Sequence, residues 1–362
     1  MKINNESYKT IWVDNNNKIR IIDQTKLPFE FVICELKTLD ETIIAIKTMQ
    51  VRGAPLIGAT AAFGIALAMK NNSDNDALDH ACQSLVQSRP TAVNLENSVK
   101  RMKSLLDKYK PSERYDVALQ EANKICSEDV ECCRKIGVFG KKIIEEHLNK
   151  IKGDSINILT HCNAGWLATI DWGTATSPIY HAFKDGIKIH VWVDETRPRN
   201  QGSQLTAYEL MQEGIKNTVI ADNTGGILMQ RGQVDMCITG ADRVLKNGDV
   251  INKIGTYLKA LAAVDNQIPF YVAFPTTTFD KKNVDASNIN IEERSPDELS
   301  IMRGISEDGT ITELQIYAND TDALNIAFDI TPGKYVTKFI TELGIHNTDK
   351  DSIDELYNTL AH

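Results

Sequence analysis

The chain has 362 residues, of which 42% are hydrophobic, and its formal net charge is −9 at pH 7. This length and composition allow a sizeable core and two domains, and they exclude a single small module. The sequence contains no basic block and no basic stripe interleaved with aromatic residues, so nucleic acid is not expected as a partner.

The apolar segments do not favour a membrane or export. The longest apolar run, over 56–69, is about 14 residues long, whereas a membrane-spanning helix needs about 20. This run therefore predicts a buried helix. The first residues, MKINNESYK, lack the apolar stretch that is typical of a signal peptide, so we expect a cytoplasmic protein without a membrane partner.

The predicted elements change character along the chain. Alternating apolar residues predict three antiparallel strands over 10–13, 18–22 and 29–36. Helical spacing follows over 43–49, 56–69, 78–87, 95–106 and 114–148. Branched apolar runs then alternate with helical stretches, and the runs lie at 155–160, 187–193, 218–220, 236–239 and 270–274.

This order predicts an α/β protein. Alternating strands and helices are typical of a parallel sheet with helices on both faces. We therefore expect a strand-and-helix N-terminal domain over 1–150 and a parallel-sheet catalytic domain over 151–362.

The cysteines point to neither a disulfide framework nor a zinc site. They are odd in number and include no CxxC pair. In a reducing compartment they are free thiols, and most are expected to be small buried hydrophobes. The seven cysteines are Cys34, Cys82, Cys126, Cys132, Cys133, Cys162 and Cys237.

Polar and glycine-rich segments follow the predicted strands of the second domain. Ligands of open parallel sheets bind outside the carboxyl ends of the strands, so these segments are expected to converge on one cleft. They read THCNAG at 160–165, DETRPRNQG at 194–202, DNTGG at 222–226 and TGADR at 239–243, with NKIGT at 252–256 shortly afterwards.

Two residues in these segments are candidates for chemistry. A buried cysteine is most often inert, but Cys162 lies at a strand end, where backbone N–H groups and a helix N-terminus favour a thiolate or an anionic ligand. Asp242 either caps a helix or pairs with Arg243, or it is catalytic. Its place after a buried run favours catalysis.

Several charged residues have two interpretations on the sequence alone. Arg197 and Arg199 are solvated loop charges, partners of Glu195 or substrate contacts. Arg52 precedes a buried helix, where it is either a surface charge or a phosphate ligand, because guanidinium matches phosphate geometry. His161 is interpreted as a structural histidine.

A set of ordered motifs carries a family resemblance. They are VRGAPLIGATAAFGIALA, SRPTAVNL, THCNAG, ETRPRNQGSQLTAYEL, DNTGGILM, ITGADR, NGDVINKIGTYLKALAA and AFDITP, between about 51 and 341. Together they resemble the methylthioribose-1-phosphate isomerase family. Its superfamily also holds ribose-1,5-bisphosphate isomerase and regulatory subunits of a eukaryotic translation-initiation exchange factor.

The resemblance implies a Rossmann-like C-terminal domain, a homodimer, and no metal or nucleotide cofactor. It implies an aldose–ketose isomerase of methionine salvage that converts 5-methylthioribose 1-phosphate into the ribulose 1-phosphate. The motifs place the catalytic pair on Cys162 and Asp242. They place substrate and phosphate contacts on Arg52, Gly53, Ala54, Arg89, Gln201, Asn252 and Lys253.

The implied chemistry needs such groups. Phosphate on C1 locks the sugar as a ring, so ring opening has to be assisted. A protonated Asp242 in a water-poor site could donate to the ring oxygen, with Cys162 as base or as stabiliser of the intermediate. Hydrogen then moves from C2 to C1, either through an enediol-type intermediate or as hydride.

Departures from the family pattern leave the C5 substituent open. Trp166 and Trp172 stand where typical members carry smaller residues, and they are either core aromatics or pocket walls, with the core favoured. Alternatives to methylthio are 5-deoxyribose 1-phosphate and ribose 1,5-bisphosphate. Further alternatives are a non-catalytic scaffold like the translation-factor subunits, and a dehydrogenase, although no GxGxxG follows a predicted strand.

Overall fold

Short antiparallel strands open the chain. The computed structural model describes residues 1–89, 93–151 and 153–359. Strands β1 (Lys2–Ile3) and β2 (Glu6–Ser7) pair across Asn4 and Asn5, which both have positive φ, a conformation that asparagine tolerates. The sequence analysis missed this hairpin.

The predicted three-stranded antiparallel sheet is confirmed. It consists of β3 (Ile11–Val13), β4 (Ile19–Ile22) and β5 (Ile33–Leu36), with β4 in the middle. Strand β5 begins at Ile33 rather than at residue 29. The preceding residues form a turn instead, in which the backbone N–H of Phe29 donates to the carbonyl of Lys26.

The predicted helices are present. Helices α1 and α3 begin earlier than predicted, each after a capping residue. The Thr38 side chain accepts from the N–H of Glu41, and the Asp74 side chain accepts from that of Ala77. The helices are α1 (Leu39–Lys47), α2 (Ala54–Asn71), α3 (Asn75–Ser88), α4 (Val93–Leu106) and α5 (Pro111–Ile151).

Helix α2 is the buried helix that the apolar run predicts. It is long and apolar enough to cross a membrane, but 72% of it is buried inside the protein. A helix that is apolar all round and enclosed by protein is typical of a core.

The rest of the chain alternates strands with helices. The elements are β6 (Ser155–Thr160), α6 (Ser177–Lys184), β7 (Lys188–Asp194), α7 (Ala207–Gln212), β8 (Lys216–Ile220), α8 (Gly225–Gln230), β9 (Met236–Thr239), β10 (Arg243–Val244), β11 (Val250–Lys253), α9 (Thr256–Asp265), β12 (Phe270–Ala273), β13 (Glu293–Arg294), α10 (Asp297–Ser300), β14 (Ile301–Ile305), β15 (Ile311–Gln315), β16 (Asn325–Ile326), β17 (Phe328–Thr331), β18 (Lys338–Thr341), β19 (Gly344–His346) and α11 (Lys350–Thr359).

A seven-stranded sheet organises this region. Its order is β19-β18-β12-β9-β6-β7-β8, and its pairs are parallel except for β18 with β19. The chain runs from β6 outward to β7 and β8, then returns to place β9 on the other side of β6. Strands β6 and β9 therefore flank the point where the strand order reverses, which is where open α/β sheets bind ligands.

Both faces of the sheet are covered, as predicted. Ile156 and Ile158 belong to a core shared with helices α5, α6 and α7. Leu159 and Cys237 belong to another core, shared with α8, α9 and α11. Successive strand residues point to opposite faces, so this division follows from the alternation along β6.

A further core joins the N-terminal strands and helices. Helix α5 contributes to two cores, with Ala118 and Ala122 in the N-terminal one and Ile136 and Ile143 in a sheet core. The domain boundary between 150 and 151 stays a prediction.

Besides the two sheets that open the chain, the described residues form three small antiparallel sheets outside the main sheet. They pair β10 with β11 and β17, β13 with β16, and β14 with β15. The sequence analysis predicted none of their strands, and it also missed β18 and β19.

Candidate active site

A cavity of about 130 Å³ opens where β6 and β9 end. The loops after β6, β7 and β9 line it, together with β11, the start of α2 and a segment over 289–298. The structure brings together at this cavity every residue that the motifs single out, namely Cys162, Asp242, Arg52, Gly53, Ala54, Arg89, Gln201, Asn252 and Lys253.

Cys162 is held in an unusual backbone conformation. Its φ is 63°, in the left-handed region that residues other than glycine seldom adopt. Its N–H donates to Thr196 Oγ1 at 2.8 Å, and its carbonyl accepts from Thr206 Oγ1 at 2.7 Å. The thiol donates to Gln201 Oε1 at 3.3 Å. Neighbouring side chains therefore fix both the backbone and the sulfur.

Burial raises the pKa of the Cys162 thiol above its ordinary value. The positive charges of Arg52 and Lys253 oppose this rise without cancelling it, and the carboxyl of Asp242 adds to it. Desolvation outweighs the nearby positive charges and favours the neutral thiol. Of the two expectations for this strand end, a thiolate or an anionic ligand, the pKa shift favours the anionic ligand.

Asp242 follows β9, and its backbone N–H donates to the carbonyl of Ile251 at 3.0 Å. Burial raises the pKa of its carboxyl, while Lys253, Arg89 and Arg52 oppose the rise. A raised pKa of Asp242 is what an acid that donates a proton near neutral pH requires. Desolvation thus favours the neutral form of both Cys162 and Asp242.

Three cationic side chains at the cavity have no acidic partner at salt-bridge distance within 1–89, 93–151 and 153–359. They are Arg52, Arg89 and Lys253, and burial lowers the pKa of each. Lys253 Nζ donates to the carbonyl of Ala327 at 3.0 Å and lies 4.4 Å from the centre of the Phe328 ring. Buried cations without an anion form a favourable site for one.

The backbone at Gly53 brings the start of helix α2 to the cavity. Gly53 has a φ of 91°, and a Cβ there would lie 2.3 Å from the carbonyl oxygen of Ala168. Only glycine allows this approach. Helix α2 begins at Ala54, and unpaired N–H groups at a helix start favour an anion.

Asn252 supports the site from β11. Its side-chain N–H donates to Thr256 Oγ1 at 2.9 Å, and so ties the end of the strand to the start of helix α9. This contact leaves its oxygen and its second N–H as the groups that can contact a substrate.

The segment over 289–298 supplies cavity residues that sequence analysis missed. Arg294 donates to Glu298 at 2.6 and 2.9 Å and to Glu292 at 3.1 Å. Arg199 also pairs with Glu298, at 3.0 Å, rather than with the predicted partner Glu195. These charges stand in a polar stretch without periodicity, so no signal in the sequence marked them.

A possible metal cluster behind Cys162 is already occupied by a lysine. His161, Asp194 and Asp222 place ligand atoms within 4.8 Å of one another. Lys259 Nζ lies 3.1 Å from Asp194 Oδ2 and donates to the carbonyl of Asp222. The ammonium group of Lys259 therefore stands where a metal ion would bind. His161 contacts Asp194 and the carbonyl of Ile254, both at 2.8 Å, which agrees with its structural interpretation.

The two tryptophans do not line the cavity that the described residues form. Trp166 is fully buried in a sheet core. Trp172 stacks on His181 with ring centres 4.3 Å apart, and Lys184 Nζ lies 4.2 Å from its ring centre. The interpretation of both as packing residues is confirmed.

Comparison with known proteins agrees with this architecture. Residues 50–348 match the model of the Initiation factor 2 subunit family. The methylthioribose-1-phosphate isomerase of Paramagnetospirillum magneticum is 51% identical over 359 residues, which are 99% of each chain.

Two solved structures are also similar. The 5-methylthioribose 1-phosphate isomerase of Pyrococcus horikoshii is 38% identical, with a TM-score of 0.84 over 98% of this chain and 97% of that one. A structure described as translation initiation factor eIF-2B, subunit delta, from A. fulgidus is 39% identical, with a TM-score of 0.81 over 97% and 100%. The resemblance inferred from the motifs is confirmed: the chain belongs to the Initiation factor 2 subunit family, and within it to the methylthioribose-1-phosphate isomerase family.

Proposed function

We propose that this protein converts 5-methylthioribose 1-phosphate into the corresponding ribulose 1-phosphate. One observation carries the proposal: a thiol and a carboxyl from the adjacent strand ends of β6 and β9 line one cavity, together with three cations that form no salt bridge with an acidic side chain of the described residues. The names and near-complete coverage of the relatives support the same activity.

The chemistry assigns proton transfer to Asp242. The net reaction moves one hydrogen from C2 to C1 and one proton from the C2 hydroxyl to the ring oxygen. Asp242 in its neutral form donates a proton to the ring oxygen as the C1–O bond breaks, and its raised pKa favours that form. The resulting carboxylate is the group that takes up the proton of the C2 hydroxyl.

The hydrogen on C2 can move by an enediol-type route or as hydride, and the protonation state of the Cys162 thiol helps to choose between them. An enediol-type route needs a base at C2, whereas burial keeps Cys162 protonated at neutral pH. A hydride shift from C2 to C1 needs no such base, so we favour it, with the thiol beside the reacting carbons. A substrate deuterated at C2 distinguishes the routes in ordinary water. Full retention of the label at C1 of the product supports the hydride shift, and loss of the label to solvent excludes it.

The charges around the cavity favour a substrate with one phosphate. Arg52, Arg89 and Lys253 supply three positive charges, enough for one phosphate dianion, and we propose that they hold it with the first N–H groups of α2. The remaining arginines already have acidic partners, since Arg199 and Arg294 pair with Glu298 and Arg243 pairs with Asp280 at 2.9 Å. Among the described residues that line the cavity, the second phosphate of ribose 1,5-bisphosphate therefore meets no further cation that lacks an acidic partner.

The apolar part of the lining suits an uncharged group at C5. A methylthio group or the plain methyl of a 5-deoxy sugar can contact such surface without losing hydrogen bonds. The apolar side chains larger than alanine at the cavity include Met49, Pro55, Ile57, Val93, Pro198, Ile251, Pro275, Ile289, Ile291 and Phe328.

The test compares three substrates. Purified protein is incubated in turn with 5-methylthioribose 1-phosphate, 5-deoxyribose 1-phosphate and ribose 1,5-bisphosphate, and ketose formation is followed. We expect the largest kcat/KM for the methylthio substrate and the smallest for the bisphosphate. Absence of ketose from all three would favour the scaffold alternative, which the likeness to the A. fulgidus structure keeps open. The homodimer stays a prediction that light scattering can check.

A further inference from the structure

Glu209 is a buried carboxylate that lies behind the cavity rather than in its lining. It stands on helix α7 and is 1% exposed. Its two oxygens accept four hydrogen bonds, from Asn163 Nδ2 at 2.9 Å, the N–H of Trp166 at 3.0 Å, the N–H of Leu167 at 2.9 Å and the Tyr180 hydroxyl at 3.0 Å. A carboxylate that accepts at both oxygens in this way has a fixed orientation.

Asn163 connects this carboxylate to Arg52. The amide nitrogen of Asn163 donates to Glu209 and, at 3.1 Å, to Thr206 Oγ1. The side-chain oxygen accepts from Arg52 Nη1, and the backbone carbonyl accepts from Arg52 Nη2 at 2.8 Å. A reversed amide would place N–H groups against the guanidinium, donor against donor. Glu209 therefore fixes the one amide orientation that can hold Arg52.

Gly165 is the residue that lets this carboxylate reach the loop. A Cβ at Gly165 would lie 1.7 Å from Glu209 Oε2, closer than any non-bonded contact allows. The glycine of the THCNAG segment thus leaves room for the carboxylate beneath the backbone that follows Cys162. The loop and Glu209 form one unit.

The carboxylate cannot be replaced without cost by a neutral group of the same shape. Burial raises the pKa of Glu209 to about 7, although the bonds from Asn163, Leu167 and Tyr180 and the charge of Arg52 oppose this rise. The carboxylate therefore prevails above neutral pH, and the substitutions are compared there. A glutamine would present an NH₂ group to two of the four donors. With its NH₂ at the Oε1 position, a glutamine would deprive Asn163 and the N–H of Leu167 of their acceptor, and at the Oε2 position it would deprive the N–H of Trp166. In either orientation a buried backbone N–H loses its acceptor, so the loop that carries Asn163 would have to move.

We propose that Glu209 is a positioning residue that, through Asn163, holds the Arg52 guanidinium in the orientation that binds the substrate phosphate. The inference rests on the proposed function, because it takes Arg52 as a phosphate ligand. Asn163 uses two of the five N–H groups of the guanidinium, so the direction of the other three is set by this contact.

The test measures binding of inorganic phosphate by calorimetry, which requires no turnover. We expect Glu209→Gln to weaken phosphate binding about tenfold, the usual effect of losing a hydrogen bond to a charged group. KM for the sugar phosphate should rise by a similar factor, and kcat should change less. Glu213→Gln, just after the same helix, is the matched control and should leave phosphate binding unchanged, because its carboxylate contacts only the exposed backbone of Lys2 among the hydrogen bonds of the described residues.

A double-mutant cycle separates positioning from a general structural role. In an Arg52→Lys background, Glu209→Gln should weaken phosphate binding by less than about twofold, because the group that it positions is gone. An equal weakening in both backgrounds would mean that Glu209 acts on the whole fold, and it would overturn the proposal.

Asn163→Ala provides a second variant if Glu209→Gln does not fold, since it leaves the buried carboxylate with its other three donors. It should weaken phosphate binding as much as Glu209→Gln does. Wild-type binding in Asn163→Ala overturns the relay. If Arg52→Lys itself binds phosphate normally, the phosphate role of Arg52 fails. If only Arg52→Lys weakens binding, the positioning inference fails alone.

Discussion

The pKa values of the carboxyl groups shift in opposite directions on the two sides of the cavity. On the sheet side, Cys162 and Asp242 follow buried parallel strands, and burial raises the pKa of both. The covering side is the segment over 289–298, where Glu298 pairs with Arg294 and with Arg199, which reaches it from the loop after β7. Burial alone would raise the pKa of Glu298, but these two arginines lower it to about 2.

The difference lies in what surrounds each carboxyl. Asp242 has cations nearby without a hydrogen bond from them among the described residues, so desolvation prevails and the neutral form is favoured. Glu298 accepts directly from Arg294 and Arg199, so the ionised form prevails. One side is arranged for proton transfer, and the other holds fixed charges together.

The strongest test of this comparison changes the sheet side. Asp242→Asn should lower kcat by about 10²- to 10⁴-fold, the scale that general acid–base groups contribute. Cys162→Ser should lower kcat as well, because it replaces the thiol beside the reacting carbons. Phosphate binding should stay measurable, because the three cations remain. Steady-state kinetics and calorimetry on the same preparations separate the two effects.

Matched controls exist for both substitutions. Cys34→Ser replaces a half-buried thiol of β5 that does not line the cavity, and Asp265→Asn replaces an exposed carboxyl at the end of α9. Both should keep wild-type kcat. A Cys162→Ser or Asp242→Asn protein with near-normal turnover would contradict the assigned role of that residue.

The sheet side could be predicted from the sequence because each of its residues directly follows a recognisable strand. A branched apolar run predicts a parallel strand, and the residues after the strand must lie at the carboxyl edge of the sheet. This placed Cys162 and Asp242 at one cleft before any coordinates were known. The sequence analysis did not give the direction of the Cys162 pKa shift, which depends on how deeply the loop is enclosed.

The covering side could not be predicted in this way. Arg294 and Glu298 pair as neighbours on one turn, but their place beside Arg199 depends on the path of a long polar segment. Glu209 gave only one signal, a carboxyl between the apolar Tyr208 and Leu210 in a helical stretch. A charge on a buried helix face requires partners, and the sequence alone could not identify them.

A smaller effect is expected on the covering side, and it concerns stability. Glu298→Gln removes the charge that Arg294 and Arg199 share, so it should lower Tm at pH 7 while kcat falls far less than in the sheet-side variants. Because the pKa of Glu298 drops from 4.5 to about 2 on folding, its charge stabilises the protein above pH 4.5 by at most about 3 kcal/mol. This contribution is lost as pH falls from about 5 toward 2.

The Tm difference between wild type and Glu298→Gln should therefore be largest at neutral pH and shrink below pH 5, as thermal unfolding across that range can measure. Glu307→Gln, in the exposed turn of the β14–β15 hairpin, is the control and should show little difference at any pH. A difference that grows on acidification would mean that Glu298 is protonated in the folded protein. Glu298 would then behave like Asp242, and the contrast between the two sides of the cavity would fail.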